Sequence, residues 1–217
     1  MNRIWDELGA YAPIFVAGLL VLFRPLWSLN RHLVTLVHEA GHAIVALLTG
    51  RKLVGIRLHT DTSGLTVSRG KPRGPGMIAT TAAGYLTPPL VAVLAAILLT
   101  GGQLAVLGWA TLAVVAAMLL YIRNLFGAAM LIFTGVILVY LDRHSPVEIR
   151  QHLFFVGAWV LVFGNFRTLV EVSRNRSGRT DIDQLRWLTH IPRIFWILGM
   201  FGVTSFCGLA VWEMQGQ

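Results

Sequence analysis

Long apolar runs separated by short polar joints set the plan of this chain. The runs fall at about residues 11–29, 32–49, 77–100, 104–122, 125–141, 152–172 and 191–214. Most approach the roughly 20 apolar residues that a helix needs to cross a bilayer. Arg24 and Pro25 interrupt the first run, and Pro25 is expected to kink or end it. Gly50 is a natural stop for the second, and Pro88-Pro89 should break or bend the third at membrane depth. The one extended polar stretch of the first half, RKLVGIRLHTDTSGLTVSRGKPRGPG, behaves differently. Residues 54–59 and 65–68 are β-prone, with the turn residues Asp61-Thr62-Ser63-Gly64 between them. The pattern therefore predicts an all-α polytopic membrane protein, one domain over residues 1–217, with about six or seven transmembrane helices and a short β-hairpin after the second run. An exposed strand edge there could hold an extended peptide by strand addition.

Composition agrees with a life in lipid. Of 217 residues, 55% are hydrophobic and 13% charged, with a mean hydropathy of +0.67. The net charge of +8 could suggest nucleic acid, but the arginines sit at segment ends and form no continuous basic face, so no nucleic-acid partner is expected. Loop charge instead gives an orientation. With the hairpin joint in the cytoplasm and seven alternating spans, only Arg24, Arg31, Arg143 and Arg150 of the 18 Lys and Arg residues fall on the outer side. That places the N-terminus inside and the C-terminus outside; if the first run does not span, only the N-terminus changes side. Compactness and the excess of Arg over Lys suit a bacterial inner membrane. Cys207 is the single cysteine, which excludes an intrachain disulfide and a thiolate metal cluster. The segment MNRIWDELGAYAP has Asp6 and Glu7 in place of a basic leader and is expected to be retained.

Chemistry concentrates in the second run, HLVTLVHEAGHAIVALLTG. His38 and His42 share one face of a helix at i and i+4, so both imidazoles can bind one Zn²⁺. Glu39 lies beside them and can act as general base toward a metal-activated water. A chance HExxH in a chain of this composition is expected in only roughly half a per cent of cases. Gly41, between the histidines, would let a neighbouring helix or a substrate backbone come close.

A catalytic zinc site needs a third protein ligand. Topology puts Asp142, Glu148 and Glu213 on the outer side, and Asp61 at the hairpin tip. Glu171, Asp181 and Asp183 remain, all near the joint before the last run. Asp181 is the first choice and Asp183 the alternative, because they follow a flexible Ser/Gly/Arg joint and open a helix. A bland reading competes: Thr180 as N-cap, with both aspartates favouring the helix dipole. Asn124, at the cytoplasmic end of its helix, could hydrogen-bond a substrate backbone; a cap or interhelical contact is the competing role. His32, His59, His144, His152 and His190 are scattered at segment edges and read as interfacial, as do several of the tryptophans.

HEAGH in an early membrane helix, a following hairpin, then AAGYLTP in the next span resemble the site-2 protease family of intramembrane zinc metallopeptidases. The resemblance covers most of the chain in layout, and HExxH is its specific part. The family's usual aspartate-bearing segment, with Asn-Pro and Leu-Asp-Gly, is absent here, and Arg123-Asn124-Leu125-Phe126-Gly127 is at most its remnant. The chain looks more like a divergent, compact bacterial branch in which HEAGHA, RNxFG and a late Thr-Asp stretch recur. Here that stretch reads TDIDQLRWLTHIP, and the resemblance favours Asp181. What it implies is a Zn²⁺-dependent endopeptidase cutting a membrane-inserted or membrane-adjacent polypeptide, as in regulated intramembrane proteolysis. The alternative is a non-catalytic membrane scaffold or regulator on a protease-derived fold.

Overall fold

The computed structural model describes residues 2–175 and 178–216, with side chains from Tyr11 onward. The side chains of Arg3, Trp5, Asp6 and Glu7, together with Arg176, lie outside the described residues. Eight helices and two strands follow one another: α1 (Asn2–Leu22), α2 (Arg24–Leu48), β1 (Lys52–Leu58), β2 (Gly64–Arg69), α3 (Pro75–Thr100), α4 (Leu104–Tyr121), α5 (Leu125–His144), α6 (Val147–Arg174), α7 (Asp181–Thr189) and α8 (Arg193–Gln215). The expected class holds, an all-α polytopic membrane protein with a small hairpin. Five helices, α3 to α6 and α8, are long and apolar enough to cross a membrane. The count becomes six if α1 and α2, bent by 104° across Phe23, form one broken span.

That bend corrects the reading of the first two runs. Pro25 does not end a helix; it opens one, standing in the first turn of α2. A proline there loses no intrahelical bond, because its missing N–H would have had no partner, and its fixed φ is already helical. The helix break therefore falls at Phe23, within the first apolar run. Tyr11 of α1 stacks on Trp212 near the end of α8, with ring centroids 4.9 Å apart. The described start of α1 thus shares a face with the end of α8, opposite the hairpin, where a separate seventh span would have put it beside the hairpin.

Helix α3 is the central element, with 56% of its most apolar window buried; the figures are 22% for α4 and 11% for α5, which face outward. Pro88 and Pro89 lie inside α3, yet the helix runs unbroken from Pro75 to Thr100. The two prolines cannot donate to the carbonyls of Gly84 and Tyr85 one turn back. Asn165 of α6 makes good one of these losses: its Nδ2 donates to the Tyr85 carbonyl at 3.1 Å and to Thr204 Oγ1 of α8 at 2.9 Å. A buried amide from a neighbouring helix replaces the missing backbone donor, so the expected break does not occur. Close contact between α2 and α3 depends on Gly41, where a Cβ would fall 2.3 Å from Thr87 Oγ1 and 2.9 Å from the Ala83 carbonyl. The close approach expected at Gly41 is therefore to a neighbouring helix.

The hairpin forms close to where the sequence places it. Its strands pair antiparallel from Lys52↔Arg69 to Leu58↔Gly64, with an irregularity between Leu53 and Gly55. Asp61 closes the turn by accepting from Ser63 N–H and Oγ, and Thr62 takes a left-handed φ of 70°. The outer edge of β1 is covered. Ile56 bridges Ile122 in parallel, Arg123 N–H donates to the Ile56 carbonyl at 2.9 Å, and the Asn124 amide exchanges both its bonds with the backbone of Leu58.

Candidate metal centre

His38 and His42 lie one turn apart on α2 and point toward α3 and the start of α7. His38 Nε2 is 3.0 Å from His42 Nε2 and 3.0 Å from Asp181 Oδ2, and His42 Nε2 is 3.2 Å from the same oxygen. Among the described residues these three alone group as ligands that could share a metal ion. The structure thus brings together the first-choice triad of the sequence reading, although Asp181 lies 139 positions beyond His42 in the chain.

The orientation of each donor has a local cause. His42 Nδ1 lies 2.7 Å from the Thr80 carbonyl. A carbonyl only accepts, so Nδ1 carries the proton and Nε2 presents its lone pair to the cluster. Asp181 is the first residue of α7 and is aimed by a capping box: Thr180 Oγ1 accepts from Asp183 N–H, and Asp183 Oδ2 accepts from Thr180 N–H at 3.0 Å. Asp183, the alternative ligand, is committed to that cap and to an ion pair with Arg193 at 3.2 Å. The TDID segment thus forms the cap through Thr180 and Asp183 and leaves Asp181 free of it, facing the two histidines.

Electrostatics follow from these contacts. Burial pushes the Asp181 carboxyl up, but with a proton shared among the three groups the hydrogen bonds and charge of the two imidazoles outweigh it and hold the carboxyl well below the usual carboxylate range. Burial also acts on Asp183, where hydrogen bonds from Thr180 and the charge of Arg193 win and lower it.

The donor set fits zinc. Zn–N and Zn–O bonds of about 2.0–2.2 Å place tetrahedral ligand atoms roughly 3.3 Å apart, close to the separations seen. Three electron-pair donors at such spacing repel unless a proton or a cation lies among them. The backbone of α3 makes room for the group. A Cβ on Gly84 would stand 2.4 Å from His38 Nε2 and 2.5 Å from His42 Nε2, so no residue but glycine leaves the nitrogens free. The Tyr85 ring meets the His38 ring edge-on at 4.9 Å and fixes its tilt.

Glu39, one residue beyond His38, emerges from α2 toward the hairpin. It is buried, and Thr66 Oγ1 of β2 donates to its Oε2 at 2.6 Å. All four residues line one cavity of about 890 Å³, walled by α2, β2, α3, α6 and α7 and rimmed by Arg31, Arg179 and Trp187. A second cavity, about 280 Å³ among α2 to α6, is lined mostly by apolar side chains, with Thr111, Thr134 and the Asp142–Arg150 pair among them. Asn124 lies outside the site. Its amide, for which the sequence left a substrate contact and a cap or interhelical contact open, bonds the backbone of Leu58 on the edge of β1 that residues 122 and 123 also cover. Gly84, Thr66, Gly64 and Thr80 were not singled out from the sequence as site residues. AAGYLTP marked the neighbourhood of Gly84, but nothing local to the others signals a site.

A membrane-embedded helical fold with an HExxH helix, an aspartate from a distant joint and a covering hairpin defines the class of membrane metallopeptidases. Residues 11–212 match the Peptidase M50B-like family, and the chain belongs to it and, through it, to the site-2 proteases. No curated protein and no solved structure matches the chain. Peptidases of this family are typically zinc-dependent.

Proposed function

We propose that this chain is a zinc-dependent intramembrane endopeptidase that hydrolyses a peptide bond in a membrane-inserted or membrane-adjacent protein. The observation that carries the reading is the meeting of His38 Nε2, His42 Nε2 and Asp181 Oδ2 beside Glu39 in a cavity large enough for a peptide segment. His38, His42 and Asp181 would hold Zn²⁺, which when bound supplies Lewis acidity toward water and the scissile carbonyl. Glu39 takes the proton of the attacking water and delivers it to the leaving amine nitrogen. A helical substrate hides its carbonyls in backbone bonds, so it must unwind before it can be cut. The β1 edge is covered by residues 122–124, whereas β2 lines the cavity. We therefore assign β2 as the edge along which an unwound segment lies.

The two arginine-rich joints, the hairpin and the segment before α8, border this same cavity. By the positive-inside rule that supports a site opening to the cytoplasm, in a bacterial inner membrane. The test uses the purified full chain with zinc and labelled casein as an unfolded probe. Glu39→Gln keeps the metal and lowers turnover by about 10²- to 10⁴-fold, the usual contribution of a general base. Wild-type turnover by that variant, or no turnover by the wild type, contradicts the reading.

A further inference from the structure

We propose that Thr66 and Gly64 of β2 position the Glu39 carboxylate, so that the hairpin sets the base as well as offering the substrate edge. The inference rests on Glu39 being the general base, as argued above. One residue along an α-helix turns the side chain by about 100°. Glu39 therefore leaves α2 on a different side from the two histidines and toward β2, out of reach of the contacts that fix the imidazoles.

Both of its oxygens are located by the strand. Oε2 accepts from Thr66 Oγ1 at 2.6 Å, a charge-assisted bond. Oε1 occupies the space that a side chain on Gly64 would need, since a Cβ there would lie 2.5 Å from Oε1 and 2.7 Å from Cδ. Gly64 is absent from the residues with positive φ, so its backbone does not demand glycine. The space does. The pleat then explains why Thr66 faces inward: Leu65, Val67 and Arg69 are exposed, while Gly64, Thr66 and Ser68 turn toward α2.

Other bonds hold the hairpin in place without Thr66. Thr35 Oγ1 donates to the Thr62 carbonyl at 2.8 Å, Arg51 Nε donates to Ser68 Oγ at 3.0 Å, and Asn124 ties Leu58. Thr66 Oγ1 also lies 3.2 Å from the Glu39 backbone carbonyl, but its shorter contact, 2.6 Å, is to the carboxylate, and the other bonds keep the strand anchored without it. A purely structural Thr66 would instead hold the strand, and its loss would move the substrate edge and raise KM.

The experiment compares wild type with Thr66→Val, Thr66→Ser and Gly64→Ala in the purified full chain. Turnover of labelled casein is measured on the zinc form, and acetohydroxamate binding by visible absorption on the cobalt form. Loss of a hydrogen bond to a charged group is expected to lower kcat of Thr66→Val by about ten- to a hundredfold with KM and metal content unchanged. Thr66→Ser, which keeps the hydroxyl, recovers most of the rate. Gly64→Ala, which pushes the carboxylate aside, loses kcat at least as strongly, and both impaired variants bind acetohydroxamate more weakly. Wild-type kcat and hydroxamate affinity in Thr66→Val, equal impairment of the Val and Ser variants, or a change confined to KM overturns the proposal. If Glu39→Gln turns over normally, the general-base reading fails instead, and hydroxamate affinity in Thr66→Val still decides whether β2 positions the carboxylate. A chain that takes up no metal overturns both.

Discussion

The two working sides of α2 are built in opposite ways. Toward α3 and α7, His38 and His42 are set by helix packing: the Gly84 backbone abuts both ring nitrogens, Thr80 fixes one tautomer, and the α7 cap aims Asp181. Toward the hairpin, Glu39 is held by one hydroxyl and one missing side chain on a two-stranded sheet. The first side is rigid because moving it means repacking buried helices. The second rests on a hairpin whose β1 packs Leu53, Ile56 and Leu58 into an apolar cluster with α2, α4 and α5, while the side chains of β2 meet α2 through polar contacts. The contrast teaches that a metal site and its base can be separately supported although their residues are adjacent in sequence.

Substitutions that strike one side only should sharpen this division. Gly84→Ala is the most severe, because its methyl group would overlap both metal-facing nitrogens; zinc affinity should fall by at least about a hundredfold, read by competition with a chelator. If affinity were unchanged, the close approach of α3 would not shape the site. Asn165→Ala should destabilise the fold by about 1–3 kcal/mol, since it leaves the Tyr85 carbonyl without a donor in α3. Thermal unfolding in detergent measures this, and a wild-type midpoint would contradict it. Thr180→Ala removes the α7 cap and should cost about 1 kcal/mol together with a modest loss of zinc affinity, while leaving the hairpin unaffected. Asn124→Ala should do the reverse at the smallest scale. It frees the Leu58 edge and quickens amide exchange in β1, with no change in zinc binding.

The sequence carried the parts of this picture that depend on local spacing. HEAGH names its own geometry because i and i+4 share a helix face, and the hairpin shows through its β-prone runs and Asp61–Gly64 turn. Elimination on charge and topology narrowed the third ligand to Glu171, Asp181 and Asp183, and the family resemblance favoured Asp181. What stayed hidden depends on partners distant in the chain. Pro88-Pro89 looks like a break until Asn165, about 80 residues on, supplies a donor. Asn124 looks free until the β1 edge claims it. Pro25 marks an interruption of the first run, and the 104° bend falls two residues before it because proline prefers the first turn of a helix, here α2. Gly64, Thr66 and Gly84 belong to common residue types without a motif of their own, and only the packing of β2 and α3 on α2 gives them meaning.

The central claim is that His38, His42 and Asp181 form one zinc site, and metal content per purified chain tests it most directly. About one zinc is predicted for the wild type and for Glu39→Gln, and close to none for His38→Ala and Asp181→Ala, because the three-ligand set is then incomplete. Near-zero metal in the wild type, or a full complement in Asp181→Ala, would contradict the account.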